Sequence, residues 1–542
     1  MSFYTVDYFL RRKKEMEDVF NIIKPDLQEL ADYFSPRSVR FIARNVRKPV
    51  VKNKKIIDST PLIALRNFSS GMMSGATSPA NRWFKTSFSN LDLAEDYYLK
   101  KWCAKQEELT RQILYGSNFY QTLPEVYKQL GIFGFSAVSL EADYDDIVNF
   151  KVLPIGSYYY AKNSNGKVDT FCRVYMETAK NIAEKFSNCP QEILEDSVNN
   201  PLRMYELIHF VEKNKFYKEK RLSSKYSDFI SVVILSGKNE FLSVKGFSKF
   251  PYVVFESSYS CEDYPVDSPG INALADVKQL MTMVKEYAKA VKKIVCPAYK
   301  GPASLKNKRL ADVPGAYIEE DENGRGISPV YEVNPKVLEL KQEKDELKEI
   351  IKEHFYNDLF AMILNTAERG RTATEVNELK EEKMVLLSPL LEQIHCALRQ
   401  ILYWIYDEEL RVGILKPVKE KYKNIRLDIE FVSSLAQAQK VSNIASMERF
   451  TTFVANIANS IDPILKAKVN GEKIIEDYAT FANIDPNQLV AREELEKLKK
   501  QSLEEQNQQM QLEAIKQGSQ IIQNMGGVDS FGSDLLSRCG VI

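Results

Sequence analysis

The stretch INALADVKQLMTMVKEYAKAVKKIV, residues 271–295, sets the reading of the whole chain. Leu274, Val277, Met281, Val284, Ala288, Val291 and Val295 recur at steps of three and four and draw one apolar stripe along a helix. At about 100° per residue, Lys278, Lys285, Lys289, Lys292 and Lys293 fall within an arc of about 100° beside that stripe. From 278 to 309 nine Lys/Arg stand against one acid, Glu286, a net of +8. Ser268-Pro269 starts the helix with a hydroxyl cap and a proline in the first turn. A Gly-, Pro- and Asn-rich insert follows, from Cys296-Pro297 to Asn334-Pro335, and a second long helical pattern covers 336–366. The centre of the chain is therefore helix, insert, helix.

Toward the C-terminus, Arg369-Gly370-Arg371 breaks the helical pattern. Thr372-x-x-Glu375 then supplies a capping box for a third helix out to about 412. Ser434-x-x-Gln437 caps another. Asp485-Pro486 opens a last one that grades into a Gln-rich tail, Gln501 to Gln523. Toward the N-terminus the texture from 131 to 260 changes to short Val-, Ile-, Phe- and Tyr-rich runs between turn signals. Asn163-Ser164-Asn165-Gly166 predicts a hairpin turn between Tyr159-Tyr160 and Val168 to Phe171. Further strands are expected at Met204 to Val211, Ser231 to Leu235 and Tyr252 to Phe255, with one helix near 178–197. Residues 5–33 read as a mixed-charge amphipathic helix, in a segment (1–60) with 13 Lys/Arg and 8 Asp/Glu. A second helix starts at Ser59-Thr60-Pro61 and is expected to end in the small-residue run from Ser69 to Gly75; 91–130 is again helical. The fold class is α+β, mainly helical.

Length and composition bound the function. A chain of 542 residues is expected to hold roughly three to four domains. With 44% hydrophobic and 27% charged residues, disorder and collagen-like structure are excluded. Lys+Arg and Asp+Glu are 74 each, so contact with nucleic acid must come from local patches. Seven scattered cysteines with no CxxC fit reduced thiols, and three histidines share no zinc-ligand spacing. No apolar run is long enough for a signal peptide or a membrane span, which points to a soluble intracellular protein. Residues 71–84 look like a phosphate loop but lack its lysine; a structural turn anchored by Trp83 and Phe84 is expected. The acids at Glu319 to Glu322 and Glu343 to Glu349 read as solvated faces or inter-subunit salt bridges rather than a Mg²⁺ site. His395 and Cys396 are neighbours on a helix and point about 100° apart, so they make no dyad. No enzyme and no cofactor is expected.

Four segments, in this order, resemble the portal (head-to-tail connector) proteins of short-tailed bacteriophages. Ser69 to Pro79 with Arg82-Trp83-Phe84 is similar to that family's SGLTSPxxxWF stretch. Val152 to Gly156 with Gly166 to Thr170 is the second. Tyr264 to Lys278 resembles YGxSPGMxALPDxK, with Pro265-Val266 in place of Gly-Arg and Ala275 in place of Pro. Arg371 to Val376 with Glu381-Glu382-Lys383 and Leu387-Ser388-Pro389 is the fourth, and Ser433 to Gln439 a weaker fifth.

The resemblance implies a phage portal fold and a ring, typically of twelve subunits, at one capsid vertex in the virion. Double-stranded DNA enters and leaves through the axial channel. The partners implied are a terminase, capsid and scaffolding proteins and tail adaptor proteins, with assembly in the host cytoplasm and no membrane. Mapped onto this chain, 1–58 is an N-terminal basic helical segment, 59–270 the α+β wing, 271–295 the first stem helix and 296–335 the clip. Residues 336–366 become the second stem helix, 367–372 the channel loop, 373–435 a long helix kinked at Pro389 and its return to the wing, and 436–542 the crown or barrel. Lys278, Lys285, Lys289, Lys292, Lys293, Arg369 and Arg371 are the candidate DNA-channel residues. The alternative is a helical scaffold protein that binds no DNA, with a metal-dependent nuclease a distant third.

Overall fold

The computed structural model describes residues 4–36, 55–88, 97–143, 147–217, 227–238, 240–259, 264, 267–295, 299–300, 328–329, 337–364, 373–418, 427–432, 435, 448–456 and a few single positions beyond. The chain divides into two compact units, Met1–Ala94 with Lys101–Asn443, and Glu95–Lys100 with Ile444–Ile542. In the smaller one a helical stretch covers 448–456, where the Thr451 and Thr452 hydroxyls donate to the Glu448 carbonyl.

The larger unit begins with α1 (Val6–Phe34), whose Thr5 cap accepts from the Tyr8 amide at 3.3 Å. Phe9, Met16, Phe20, Leu27, Leu30 and Phe34 line its buried face. Helix α2 (Thr60–Ala76) is capped by Asp58, which accepts from the Thr60 amide at 2.8 Å, while Ser59 makes no side-chain cap bond. This helix does not end in the small-residue run; it passes straight through it. A Cβ on Gly71 would lie 2.2 Å from Phe360 Cγ, and one on Gly75 2.7 Å from Leu435. The small residues are there for close approach of neighbouring side chains. The turn comes later, over 77–83, and delivers Trp83 and Phe84 into the core as expected.

Strand β1 (Phe84–Phe88), α3 (Tyr97–Gly116), α4 (Phe119–Phe133), β2 (Phe135–Asp143) and β3 (Ile147–Val152) follow. Next come β4 (Tyr158–Lys162), β5 (Val168–Thr178), α5 (Ala179–Lys185), α6 (Gln191–Asn199), β6 (Met204–Lys213), β7 (Phe229–Leu235), β8 (Glu240–Phe247) and β9 (Tyr252–Glu256). The five strands β4-β5-β6-β7-β8 form an antiparallel meander, and β3-β2-β9 a separate three-stranded sheet. The predicted hairpin at 163–166 joins β4 to β5, with Asn163 Oδ1 accepting from the Asn165 and Lys167 amides. Alternation along β7 sends Ile230, Val232 and Ile234 to the main core, and Val233 and Leu235 to a second cluster under α5 and α6. The single helix expected near 178–197 is these two, because Pro190, extended at ψ 143°, interrupts it.

The remaining helices are α7 (Pro269–Val295), α8 (Val337–His354), α9 (Asn357–Leu364) and α10 (Ala373–Val412). Ser268 caps α7, accepting from the Ile271 amide at 3.1 Å and donating to the Ile132 carbonyl at 2.9 Å. A Cβ on Gly270 would sit 2.7 Å from that same carbonyl, so the start of α7 is pinned against the end of α4. Between α7 and α8 the described part of the insert is a short antiparallel pair, β10 (Tyr299–Lys300) with β11 (Ser328–Pro329).

The continuous helix expected over 336–366 is broken in two. Tyr356 adopts the left-handed region at φ 55°, while Phe355 is fully buried against Phe34 and Phe68, ring centroids 5.6 and 6.2 Å away. Docking of that one phenylalanine outweighs a local cost of about 1–3 kcal/mol for a non-glycine in this conformation. Pro389 lies inside the 40-residue α10. Finally, β12 (Leu427–Phe431) returns to pair antiparallel with β1. One hydrophobic cluster runs through α1, α2, α4, the sheets and α7 to α10.

Candidate functional site

Helices α7 and α8 lie side by side and antiparallel. His354 Nε2 meets Asp276 Oδ2 at 3.1 Å, and eleven residues further along α7 the Lys344 ammonium lies 5.0 Å from the centre of the Tyr287 ring. Burial along α7 is uneven. Ala273, Val277, Leu280 and Met281 are buried, Val284 and Val291 half-buried, and Ala288, Ile294 and Val295 exposed, Val295 at 70%. The apolar stripe read from the sequence is thus covered in its first half and only partly covered in its second.

The lysines divide in the same way. Lys278 reaches across to Glu29 of α1 at 2.8 Å and is therefore removed from the open face. Lys285, Lys289, Lys292 and Lys293 are exposed. Lys289 holds Glu286 one turn away at 2.7 Å; the other three have no ion-pair partner among the described residues. That hydrogen bond from Lys289, with the nearby charges of Lys285 and Lys293, keeps Glu286 below the usual carboxylate range. Of the seven residues singled out, the structure brings these four together. Arg369 and Arg371, with all of the 367–372 loop, lie outside the described residues, as does most of 296–335.

A feature of α8 completes the site. Three of its four lysines are engaged within the subunit: Lys344 over Tyr287, Lys348 with Asp58 at 2.9 Å, Lys352 with Glu349 at 2.7 Å; the fourth, Lys341, is exposed. Glu343, Glu346 and Glu353, spaced by three and seven, are exposed with no ion-pair partner among the described residues, and Ile350 stands between them at 42% exposure. At about 100° per residue these acids share one side and the lysines the other. The helix pair is sorted by charge, with a basic face on α7 and an acidic one on α8. The sequence showed the acids only as a cluster; following their angular positions separately from those of the lysines reveals the sorting.

Elsewhere two histidines are packed against aromatic side chains. His395 stacks on Phe431 at 4.1 Å and burial pushes its pKa down to about 4, while Cys396 is exposed. His209 is half-buried, held between Ser231 and Tyr252. A cavity of about 420 Å³ opens beside the α8–α9 break, lined among others by Asp267, Asn272, Glu353, Tyr356 and Pro389. Its His354 is bonded to Asp276 rather than to a serine or cysteine. Among the described residues no His/Cys/Asp/Glu group could hold a metal ion, and no helix is long and apolar enough to cross a membrane.

Relatives are known over most of the chain. The family model described as bacteriophage head to tail connecting protein matches residues 9–490. The chain is 30% identical over 482 residues to the portal protein of Salmonella phage epsilon15, covering 87% of this chain and 86% of that one. It is 29% identical over 518 residues to the probable portal protein of Bordetella phage BPP-1, covering 94% and 93%. Among solved structures, a chain of the neck of an empty GTA particle computed with C6 symmetry is similar over 75% of this chain and 92% of that one. The TM-score is 0.39 and the identity 11%.

Proposed function

The chain belongs to the family of bacteriophage head to tail connecting proteins, and from that premise we propose that it is a portal protein: a ring at one capsid vertex that conducts double-stranded DNA. The observation that supports this most is the extent of the likeness to two portal proteins, which covers 87% and 94% of the chain rather than a single domain. In this reading the ring has twelve subunits, docks a terminase during packaging and tail adaptors afterwards, and assembles with capsid and scaffolding proteins in the host cytoplasm. Its role is mechanical and non-enzymatic.

Physical chemistry suits such a conduit. A duplex carries one negative charge per ~1.7 Å, and a uniformly basic bore would grip it by counterion release. A chain whose Lys+Arg and Asp+Glu are 74 each avoids that grip while leaving room for local basic rings. Arg369 and Arg371, on the segment that joins α9 to α10, are proposed to meet the phosphates. In a closed ring the four exposed lysines of α7 have two neighbours open to them, the duplex and the adjacent subunit.

Single-particle electron microscopy of the purified chain tests the proposal. Closed rings with a central hole, near 750 kDa for twelve copies of 62.2 kDa, are the expected result. Small particles without a hole, at every salt and protein concentration, would transfer the weight to a scaffold protein that binds no DNA.

A further inference from the structure

Building on the ring reading, we propose that the basic face of α7 is a docking surface for a second copy of this chain: Lys285, Lys289, Lys292 and Lys293 of one subunit receive the acidic face of α8, Glu343 and Glu346, of the next. A ring closes through a heterologous interface, in which each copy presents two different and complementary surfaces. The helix pair carries such surfaces. Three of the four lysines of α8 are engaged within the subunit, on Tyr287, Asp58 and Glu349, and the exposed Lys341 lies on their side of the helix, which leaves Glu343 and Glu346 facing outward on the other. On α7 the order is reversed, with lysines outward and one acid, Glu286, among them.

Three further observations favour a protein over a duplex as the occupant. Exposed Ala288 and Val295 border the lysines, and exposed Ile350 lies among the acids. Bare apolar side chains mixed with charge suit a protein interface and offer nothing to phosphates. Lys278, on the same arc as the four, already receives a carboxylate across a helix–helix contact, from Glu29. The heights also agree. The Asp276–His354 and Tyr287–Lys344 contacts set the antiparallel register, which stands Lys285 level with Glu346 and Lys289 within a turn of Glu343. Subunits of a cyclic ring are related by rotation without a shift along the axis, so for helices that run with the axis, groups at equal height meet.

The test is a charge swap in the full chain, read by mass photometry across a dilution series. One variant carries Lys285→Glu, Lys289→Glu, Lys292→Glu and Lys293→Glu; the second carries Glu343→Lys and Glu346→Lys; the third combines all six. Each of the first two is expected to raise the concentration at half assembly by about tenfold or more, and the third to bring it back to within about threefold of wild type. Wild-type assembly should also weaken between 0.1 and 1 M salt, as the screening length falls from about 10 to about 3 Å. All six side chains are exposed, so thermal melts should show the variants folded. A milder set with the four lysines changed to Gln gives the same test with a smaller shift. Normal rings from the lysine variant, with DNA retention lost instead, would overturn the proposal and assign the face to the duplex. Failure of the combined variant to recover would overturn it too. If wild type itself makes no ring, the portal reading fails first, and the two failures are told apart in one experiment.

Discussion

Replacing Glu409 by glutamine should make the protein more stable at pH 8 than at pH 5 relative to wild type, and the size of the effect follows from the site. Glu409 is fully buried on α10, where its carboxylate accepts from Thr110 Oγ1 at 2.5 Å and from Gln106 Nε2 at 3.3 Å. Burial pushes its pKa up from 4.5 to about 7, against the pull of those two hydrogen bonds. In the unfolded chain the group ionises near its ordinary value. Between about pH 4.5 and 7 the unfolded state therefore binds fewer protons than the folded one, and stability falls as pH rises through that window, then levels off. At 1.36 kcal/mol per pH unit, the loss comes to about 3 kcal/mol by pH 8.

Glutamine cannot ionise, keeps an oxygen for Thr110, and brings an N–H to a site where Gln106 Oε1 has no donor. The assay is urea unfolding at fixed protein concentration, followed by tryptophan fluorescence. Trp102 reports on the neighbourhood, its ring edge-on to Tyr406 at 6.2 Å. Taking the difference between wild type and Glu409→Gln cancels every other titrating group. The gap should widen by about 2–3 kcal/mol between pH 5 and pH 8. Parallel curves for the two proteins across that range would refute the reasoning.

Two more outcomes are expected. His209, bonded through Nε2 to Ser231 at 2.9 Å and through Nδ1 to Tyr252 at 2.6 Å, is pushed down to about 3 by burial first and by Arg173 and Lys185 after it. A base with a lowered pKa loses stability as pH falls from 6.5 toward 3, about 2 kcal/mol of it by pH 5. His209→Gln should remove that acid limb in the same urea series, and an unchanged limb would contradict the assignment. Gly71→Ala drives a methyl into Phe360 and should cost about 1–3 kcal/mol. Gly116→Ala, also in a helix but with nothing within 4 Å, should gain about 0.5–1 kcal/mol. Calorimetric melting shifts of the same sign for both would show that space at Gly71 is not what matters.

What the sequence discloses here is what local pattern encodes. The stripe of α7, its Ser268-Pro269 start and the Asn163 to Gly166 turn are written in periodicity and side-chain chemistry, and the structure holds all three. Small residues defeat such reading because they serve two purposes. Ser69 to Gly75 carries the composition of a turn, and only the presence of Phe360 and Leu435 makes it a helix face. No Gly or Pro marks the α8–α9 break; it is imposed by the burial of Phe355 between residues of α1 and α2. Pro190, by contrast, was a legible signal for splitting α5 from α6. At the candidate site the lysine arc was legible, but the capture of Lys278 by Glu29 was not, since nothing local links positions 249 residues apart. The acids at 343–349 read as solvated or inter-subunit, and the structure separates Glu343 and Glu346 on one side from Glu349, which is held by Lys352.

The pairing of β1 with β12 joins residue 84 to residue 431, and Trp83 is stacked between Phe119 and Phe431 with its carbonyl accepting from the Val432 amide at 2.9 Å. A ribosome adds roughly 5–20 residues per second, so β12 emerges roughly 20–70 s after β1. Throughout that interval the edge of β1 and one face of Trp83 wait for a partner not yet made. The nascent chain is thus exposed to chaperones and to wrong strand partners for far longer than its hairpins take to form. Closure of the Trp83 sandwich then becomes a late folding event, visible as a change in tryptophan emission once residue 431 has left the exit tunnel.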